Sequence, residues 1–453
     1  MYPLIRLLKL EKQSPMKIIL TGYCCIILLG GLLLTLPAAT RSGVSTSFLD
    51  AVFTATSATC VTGLVRFDTY TYWSLFGQLV ILALIQTGGI GFVTVAISLV
   101  SLTKRKIGLS QRFIMQESVA SPQIGGIVRM TKFILLGTLL VELIGAFLLC
   151  FRFCPLLGLW NGIYFSVFHS ISAFCNAGFD LMGILEPYSS LTSMQNDPYV
   201  NCIIMALIII GGLGFFVWSD LLQNKFRFRH LKLHTKIVVS VTCILIVAGT
   251  LLLFLFEQGG KVFEGKSTGE QLLCSAFQSV SPRTAGFNTL DLPSLREASL
   301  FLIICLMLIG GSTGSTAGGM KTTTLAVLFL SIGATFRRKK SIECFGRRMD
   351  DDTLRTASCV MILYLGLTIL SALLVSSVES LPLLTALFET SSAIATVGLS
   401  LGVTPTISAL SEVVLTLLMI FGRVGSITIL LAFASNRMGA PVSKLPLEKV
   451  QIG

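Results

Sequence analysis

The sequence predicts an all-α integral membrane protein whose chain folds as four tandem repeats around one pore. Three observations carry that expectation. The chain of 453 residues is 53% hydrophobic and 12% charged, whereas a soluble domain carries about 25% charged residues. One short pattern recurs four times at nearly constant spacing. The basic residues gather in segments that alternate with acidic ones along the chain.

The recurring pattern reads Phe53-TATSATCVT-Gly63-Leu64, Phe168-HSISAFCNA-Gly178-Phe179, Phe277-QSVSPRTA-Gly286-Phe287 and Phe388-ETSSAIATV-Gly398-Leu399. Its glycines lie 115, 108 and 112 residues apart. An internal period this long points to four copies of one unit facing a shared axis. Each unit parses alike. A first spanning run comes from Lys17–Pro37, Met130–Phe151, Thr235–Phe256 and Thr356–Val378. The half-polar runs that follow, Ser45–Ala58, Leu159–Phe174, Gly269–Val280 and Leu383–Ala393, are too short to cross about 30 Å of hydrocarbon as helices. They suit helices that enter and leave the membrane on one side. After the glycine loop a second spanning run closes the unit: Trp73–Thr103, Tyr199–Leu222, Leu300–Phe336 and Val413–Phe433.

The expected architecture is therefore helix, pore helix, helix (M1-P-M2) four times over, pseudo-fourfold about one pore, with eight transmembrane helices. Its segments are a cytoplasmic N-terminus at 1–16, repeats at 17–104, 105–224, 225–340 and 341–436, and a cytoplasmic tail at 437–453. The first apolar run is long enough to span, so it reads as a membrane helix and not as a cleavable signal.

The net charge of +12 invites a nucleic-acid reading, which the placement of the charges argues against. Of the 34 Lys and Arg, 25 fall in five segments: the N-terminus through Lys17, Lys104–Lys132, Lys225–Lys236, Arg337–Arg355 and the stretch after Ser435. Acids such as Asp180, Glu257, Asp291 and Glu379 occupy the stretches between. That alternation follows the positive-inside rule, puts both termini in the cytoplasm and gives the chain membrane lipid as its surroundings, with no nucleic-acid partner. The twelve Cys are scattered through apolar runs without a CxxC pair and read as small core residues. No His, Asp, Glu or Cys cluster has catalytic spacing, so no enzyme and no cofactor on the chain is expected. The basic connectors are too short to house a nucleotide-binding domain, so a regulatory body would be another chain.

A dehydrated monovalent cation needs several oxygens on every side, which backbone carbonyls supply where an extended segment turns them one way. Such a segment recruits Gly. The candidate filter segments are Val61-Thr62-Gly63, Asn176-Ala177-Gly178, Thr284-Ala285-Gly286 and Thr396-Val397-Gly398. The short helices before them would aim their partly negative C-terminal ends at the ion. A glycine after one helix is an ordinary C-cap; four in register are a filter. The third loop departs, with Pro282, Arg283 and one residue fewer before its glycine.

Beyond each filter glycine the second spanning run breaks at Gly88-Gly89-Ile90-Gly91, Gly211-Gly212-Leu213-Gly214, Gly310-Gly311 and Gly422-Arg423-Val424-Gly425. These read as hinges or as close helix contacts. The third break is longer: Gly310, Gly311, Ser312, Thr313, Gly314, Ser315, Thr316, Ala317, Gly318 and Gly319 in succession. Non-helical backbone at membrane depth persists only where it lines a wet cavity or is buried by protein, so this loop reads as a mobile plug. Its end superficially matches a phosphate loop, but Met320 separates the second Gly from Lys321 and no strand precedes it. Arg423, a charge inside a spanning helix, should face the pore or a partner. It is expected to bond carbonyls of the 310–319 loop and raise a barrier to cations. Lys321 serves similarly or anchors at the interface. His169 reads as packing, His230 and His234 as a solvated face more than a metal site, and Glu142 as an acid with a polar partner inside the protein.

With SATCVTGL at Ser57–Leu64, FCNAGFD at Phe174–Asp180, SPRTAGFNT at Ser281–Thr289, ATVGLS at Ala395–Ser400 and GGSTGSTAGGMKT at Gly310–Thr322, the chain resembles the potassium-translocating membrane subunit of the bacterial Ktr systems, in the Trk/Ktr/HKT superfamily. The resemblance covers essentially the whole chain. It implies a homodimer with one pore per protomer, docked on a cytoplasmic ring of RCK-type nucleotide-binding regulatory subunits (KtrA-like). It implies K⁺ as the transported ion, held at the filter carbonyls, with Na⁺ as a further transported or activating ion. Members with Ser at the first filter glycine tend toward Na⁺; Gly63 favours K⁺. The Trk branch carries extra N-terminal helices, and the start at Met1 favours Ktr. The alternative is a sodium-selective pore or a K⁺/Na⁺ symporter on the same fold.

Overall fold

The computed structural model describes residues 15–95, 108–119, 125–339, 341–425 and 429. The expected N-terminal cytoplasmic segment, except Pro15 and Met16, and the expected tail lie outside those residues. Among the described residues, four helices are long and apolar enough to cross a membrane: α1 (Pro15–Leu34), α5 (Ile127–Leu157), α9 (Leu233–Phe256) and α13 (Asp351–Glu379). Each is followed by a short helix that packs on it: α2 (Phe48–Thr59), α6 (Leu159–Phe174), α10 (Thr268–Val280) and α14 (Leu383–Ile394). At about 1.5 Å per residue, these four reach about 18 to 24 Å, short of a crossing.

Local chemistry sets where the short helices begin. Ser47 accepts the Asp50 amide at 3.2 Å, and Ser267 with Glu270 forms a capping box, which satisfies amides that the first turn leaves bare.

After each short helix and its return loop comes a further helix: α3 (Leu75–Ile90), α7 (Pro198–Leu213), α11 (Glu297–Leu308) and α15 (Ala409–Val424). Within the described residues these second runs are broken helices, interrupted at the glycine clusters where the sequence places breaks; residues 96–103 of the first run lie outside the described residues. Helix α7 bends by 93° into α8 (Phe215–Gln223). Between α11 and α12 (Thr322–Phe336) lies a loop. Helices α3, α7 and α15 end at Gly91, Gly214 and Gly425, with φ of 91°, 97° and 93°, a conformation that breaks the helical ladder and favours Gly. The first glycines of the same clusters serve close approach instead. A Cβ built on Gly88, Gly211 or Gly422 would lie 1.9, 2.0 or 2.0 Å from the carbonyl oxygen of Thr59, Phe174 or Ile394. Helix α4 (Leu109–Val119) and a two-residue hairpin, β1 (Glu343–Cys344) with β2 (Arg347–Arg348), complete the described elements that bear on the fold.

The polarity runs inside out relative to a soluble protein. Large apolar side chains stand exposed on α5 (Leu136, Leu140, Phe147), α9 (Ile244, Leu251) and α13 (Ile369, Leu370). Thr54, Thr56, Ser57, Ser170, Ser172, Ser279, Ser391 and Ser392 on the short helices are buried. An exposed belt of this kind suits lipid, and the buried hydroxyls need protein or ion partners. The cysteines fit the core reading only in part: Cys60, Cys175 and Cys274 are buried, whereas Cys25, Cys202, Cys243, Cys305 and Cys359 are exposed, Cys243 on α9 and Cys359 on α13. Glu142 of α5 has its polar partner in Gln86 of α3, whose Nε2 donates to it at 2.9 Å.

Candidate ion pathway

The four return loops meet, and each touches the next in chain order until the series closes. A Cβ built on Gly63 would lie 2.5 Å from the Ala177 carbonyl oxygen, on Gly178 2.8 Å from that of Ala285, on Gly286 2.4 Å from that of Val397, and on Gly398 2.1 Å from that of Thr62. Those contacts gather Gly63, Gly178, Gly286 and Gly398 about a common centre. Only a residue without a side chain fits there.

Backbone conformation within each loop is equally regular. The residue two before the glycine has φ of 51° at Val61, 57° at Asn176, 78° at Thr284 and 52° at Thr396. The glycines stand at 92°, 68°, 81° and 93°, and the residue between has negative φ. Alternating the sign of φ turns successive carbonyls to the same side of the chain, which is how a short extended segment presents a column of oxygens. Left-handed φ at the β-branched Val61, Thr284 and Thr396 costs about 1–3 kcal/mol each and persists only where the surroundings over-determine it.

Those surroundings are visible. The amides of Thr62, Ala177, Ala285 and Val397 donate to the carbonyls of Ser57, Ser172, Ser281 and Ser392 at 2.8, 2.8, 2.9 and 2.8 Å. The missing residue of the third loop is thus absorbed inside its turn, and Ser281 takes the place of the other three serines. The side chains of Asn176 and Thr284 meet at 3.2 Å, bridging the second and third loops. The hydroxyls of Thr59, Thr62 and Thr396 are buried without a hydrogen-bond partner among the described residues, so oxygens beside the ring remain free.

Two braces hold the return strands. Glu389, buried in α14, accepts the Leu401 amide at 2.9 Å, the Ser400 hydroxyl at 2.7 Å and the Thr404 hydroxyl at 2.8 Å. His169, at the matching place in α6, accepts the Leu181 amide at its Nε2 at 3.4 Å while Nδ1 faces the Phe165 carbonyl at 2.8 Å. The amide at Nε2 fixes the neutral tautomer with its proton on Nδ1. His169 is therefore more than packing. Both braces follow the marker Phe directly and reach twelve residues on, a regularity that the sequence reading passed over along with the four serines.

Against these loops lies the segment 309–321. The Ser312 amide donates to the Gly212 carbonyl at 3.0 Å and that of Phe215 to the Gly314 carbonyl at 2.8 Å. The Thr316 hydroxyl donates to the Phe174 carbonyl at 3.0 Å, and a Cβ on Gly318 would fall 2.1 Å from Thr396 Oγ1. The segment is thus pressed under the second and fourth return loops. Lys321 folds back, its Nζ donating to the Ala317 and Gly318 carbonyls at 2.9 and 3.1 Å. Arg423 of α15 donates to the carbonyls of Thr316 and Gly88, and to that of Gly89 at 3.0 Å. One guanidinium therefore joins parts of the chain some 335 residues apart. A cavity of about 660 Å³ adjoins the segment; Gly319, Lys321, Arg423 and Tyr364 line it, and no return-loop glycine does. His230 and His234 lie apart from all of this, and no group of three potential metal-ligating side chains occurs among the described residues.

The sequence profile described as "TrkH: Cation transport protein" matches residues 26–439. The potassium/sodium uptake protein NtpJ of Enterococcus hirae is 39% identical over 449 residues, covering 98% of each chain. The Ktr system potassium uptake protein B of Bacillus subtilis is 38% identical over 432 residues, 95% of each. The crystal structure of the potassium transporter TrkH from Vibrio parahaemolyticus aligns with a TM-score of 0.73 at 19% identity, covering 94% of this chain and 86% of that one, a likeness of fold. The closed ring of loops stands in a helical membrane scaffold that this family shares: the chain belongs to the TrkH/Ktr family of cation transport proteins and is a multi-pass membrane transporter, not an enzyme.

Proposed function

We propose that the chain is the potassium-translocating subunit of a gated K⁺ uptake system. Val61, Thr62, Gly63, Asn176, Ala177, Gly178, Thr284, Ala285, Gly286, Thr396, Val397 and Gly398 form its selectivity filter, with K⁺ as cargo. The observation that carries this reading is the closed sequence of glycine-to-carbonyl contacts, which leaves backbone oxygens to replace a hydration shell from four sides. The names of the two bacterial relatives support potassium as the ion.

The segment Gly310 to Gly319 is the intramembrane gate, and Arg423 with Lys321 latches it while placing positive charge on the path. The Thr316 hydroxyl's bond to the Phe174 carbonyl at the end of α6, and the bonds that Lys321 and Arg423 donate to the segment's own carbonyls, support this role. Each set of long helix, short helix and second run is one M1-P-M2 repeat, with boundaries at 17–104, 105–224, 225–340 and 341–436 and eight crossings in all. Both termini are cytoplasmic in the cell membrane, and the protomer pairs as a homodimer on a separate ring of RCK-type nucleotide-binding subunits. The word "system" in the name of the Bacillus subtilis relative agrees with a multi-subunit assembly.

Sodium dependence is a second reading, favoured by the potassium/sodium name of the Enterococcus hirae relative. Uptake of rubidium-86 against sodium-22 into proteoliposomes separates the two. Rb⁺ uptake that excess K⁺ suppresses is the expected result. A protein that passes Na⁺ and excludes Rb⁺ would overturn the potassium assignment. Growth rescue of a K⁺-uptake-deficient cell with and without a ring-forming subunit tests the partner: weak, uncontrolled uptake is expected from the chain alone.

A further inference from the structure

The four serines that anchor the filter loops share one backbone contact and then divide two by two. All four carbonyls accept the amide of the residue before the glycine. In the first and fourth loops the hydroxyl is an acceptor: Ser57 Oγ takes the Gly63 N–H at 3.1 Å and Ser392 Oγ takes the Gly398 N–H at 3.0 Å. In the second and third loops the hydroxyl is a donor. Ser172 Oγ donates to the Phe179 carbonyl at 2.6 Å, and Ser281 Oγ donates to the Phe287 carbonyl. The matching carbonyls of the other pair, Leu64 and Leu399, accept no hydrogen bond from any described residue. Ring order makes the halves contiguous: loops two and three are neighbours, as are four and one.

All four serines are buried, so bulk water does not compete for these hydroxyls. A buried O–H···O=C bond orients the carbonyl toward its donor. Because Ser172 lies in the last turn of α6 and Ser281 caps α10, that direction leads back into the scaffold and away from the centre of the ring.

We propose that the outer mouth of the ion path is two-sided. Ser172 and Ser281 withdraw the carbonyls of Phe179 and Phe287, and an arriving monovalent cation is met by those of Leu64 and Leu399 alone. One level deeper, at Thr62, Ala177, Ala285 and Val397, all four loops contribute. The four serines are positioning residues, and the proposal rests on the filter reading above.

The test is the concentration dependence of Rb⁺ uptake into proteoliposomes, with Na⁺ as competitor. The double variant S172A/S281A frees two carbonyls, and its half-saturating Rb⁺ concentration should fall about fivefold, the factor one net hydrogen bond is worth. S172T/S281T keeps the hydroxyls and should return that value toward wild type. S57A/S392A releases glycine amides and should erode Rb⁺/Na⁺ discrimination without the gain in affinity. If a double variant is purified but does not transport, Rb⁺-dependent thermal stabilisation reads the same affinity. Unchanged half-saturation in S172A/S281A, threonine variants that behave as alanine, or the same shift in S57A/S392A overturns the proposal. Should Gly398→Ala leave discrimination intact, the filter reading itself fails. Should it abolish discrimination while the serine variants all match wild type, only the two-sided mouth fails.

Discussion

Adding one methyl group at each of the four return-loop glycines should injure transport in an order that the ring geometry sets. At Gly398 the new Cβ would sit 2.1 Å from the Thr62 carbonyl oxygen and 2.8 Å from Gly63 Cα, where ordinary contact begins at 3.4 Å. Strand or neighbour must therefore retreat by about 1.3 Å, beyond the roughly 0.5 Å tolerance of a preorganised site. Gly398 also has φ of 93°, which adds about 1–2 kcal/mol for any L-residue. Gly286, Gly63 and Gly178 follow with nearest approaches of 2.4, 2.5 and 2.8 Å. Initial Rb⁺ uptake at matched protein levels should fall in the order Gly398→Ala, Gly286→Ala, Gly63→Ala, Gly178→Ala, with about 100-fold loss at the head of the series. Gly43→Ala is the control, since its φ is 70° but nothing lies within 4 Å. It carries the backbone strain without the collision and should leave uptake and selectivity as they were. Equal loss in Gly43→Ala and Gly398→Ala, or a reversed order within the four, would refute the argument from close approach.

Arg423→Ala removes donors to three carbonyls and should raise basal Rb⁺ uptake about tenfold or more; deletion of Gly314 to Thr316 should act in the same direction. If neither changes the rate, the segment is no gate. Glu389→Gln leaves one oxygen where a carboxylate received three donors. A stability loss of about 1–3 kcal/mol should appear as a lower Tm in detergent together with poorer Rb⁺/Na⁺ discrimination. Gly88→Ala drives a Cβ to 1.9 Å from the Thr59 carbonyl oxygen and should lower Tm. Gly366→Ala, with nothing within 4 Å in the middle of α13, should raise Tm, the gain in helix propensity being worth up to about 1 kcal/mol; equal shifts in both would discount close packing at Gly88.

Much of the site was legible because symmetry writes it four times. The return-loop glycines, the short helices before them and the breaks beyond them recur at near-constant spacing, and Arg423 announces itself as a charge in an apolar run. What escaped the sequence depends on contacts across the fold. His169 and Glu389 differ in type, so a search for identical residues in register passes over their shared grip on an amide twelve residues on. The serines were visible as letters, but whether a hydroxyl gives or takes a proton is decided by which carbonyl or amide the loop brings to it. The sequence shows the third loop one residue short before Gly286 but not where the deficit falls; the turn absorbs it and keeps the Ala285 amide on Ser281. The roles of the glycine clusters were likewise open until neighbouring elements were placed: Gly88 serves an approach and Gly91 serves a bend.

The reach of Arg423 has a consequence for control. Its guanidinium is a keystone shared by the end of α3, the segment 309–321 and α15, so these three cannot loosen one at a time without leaving a half-buried cation short of partners. A mechanical pull on the C-terminal end of α15 alone would strip all three contacts together, which turns a modest displacement at the periphery into an all-or-none release at the centre.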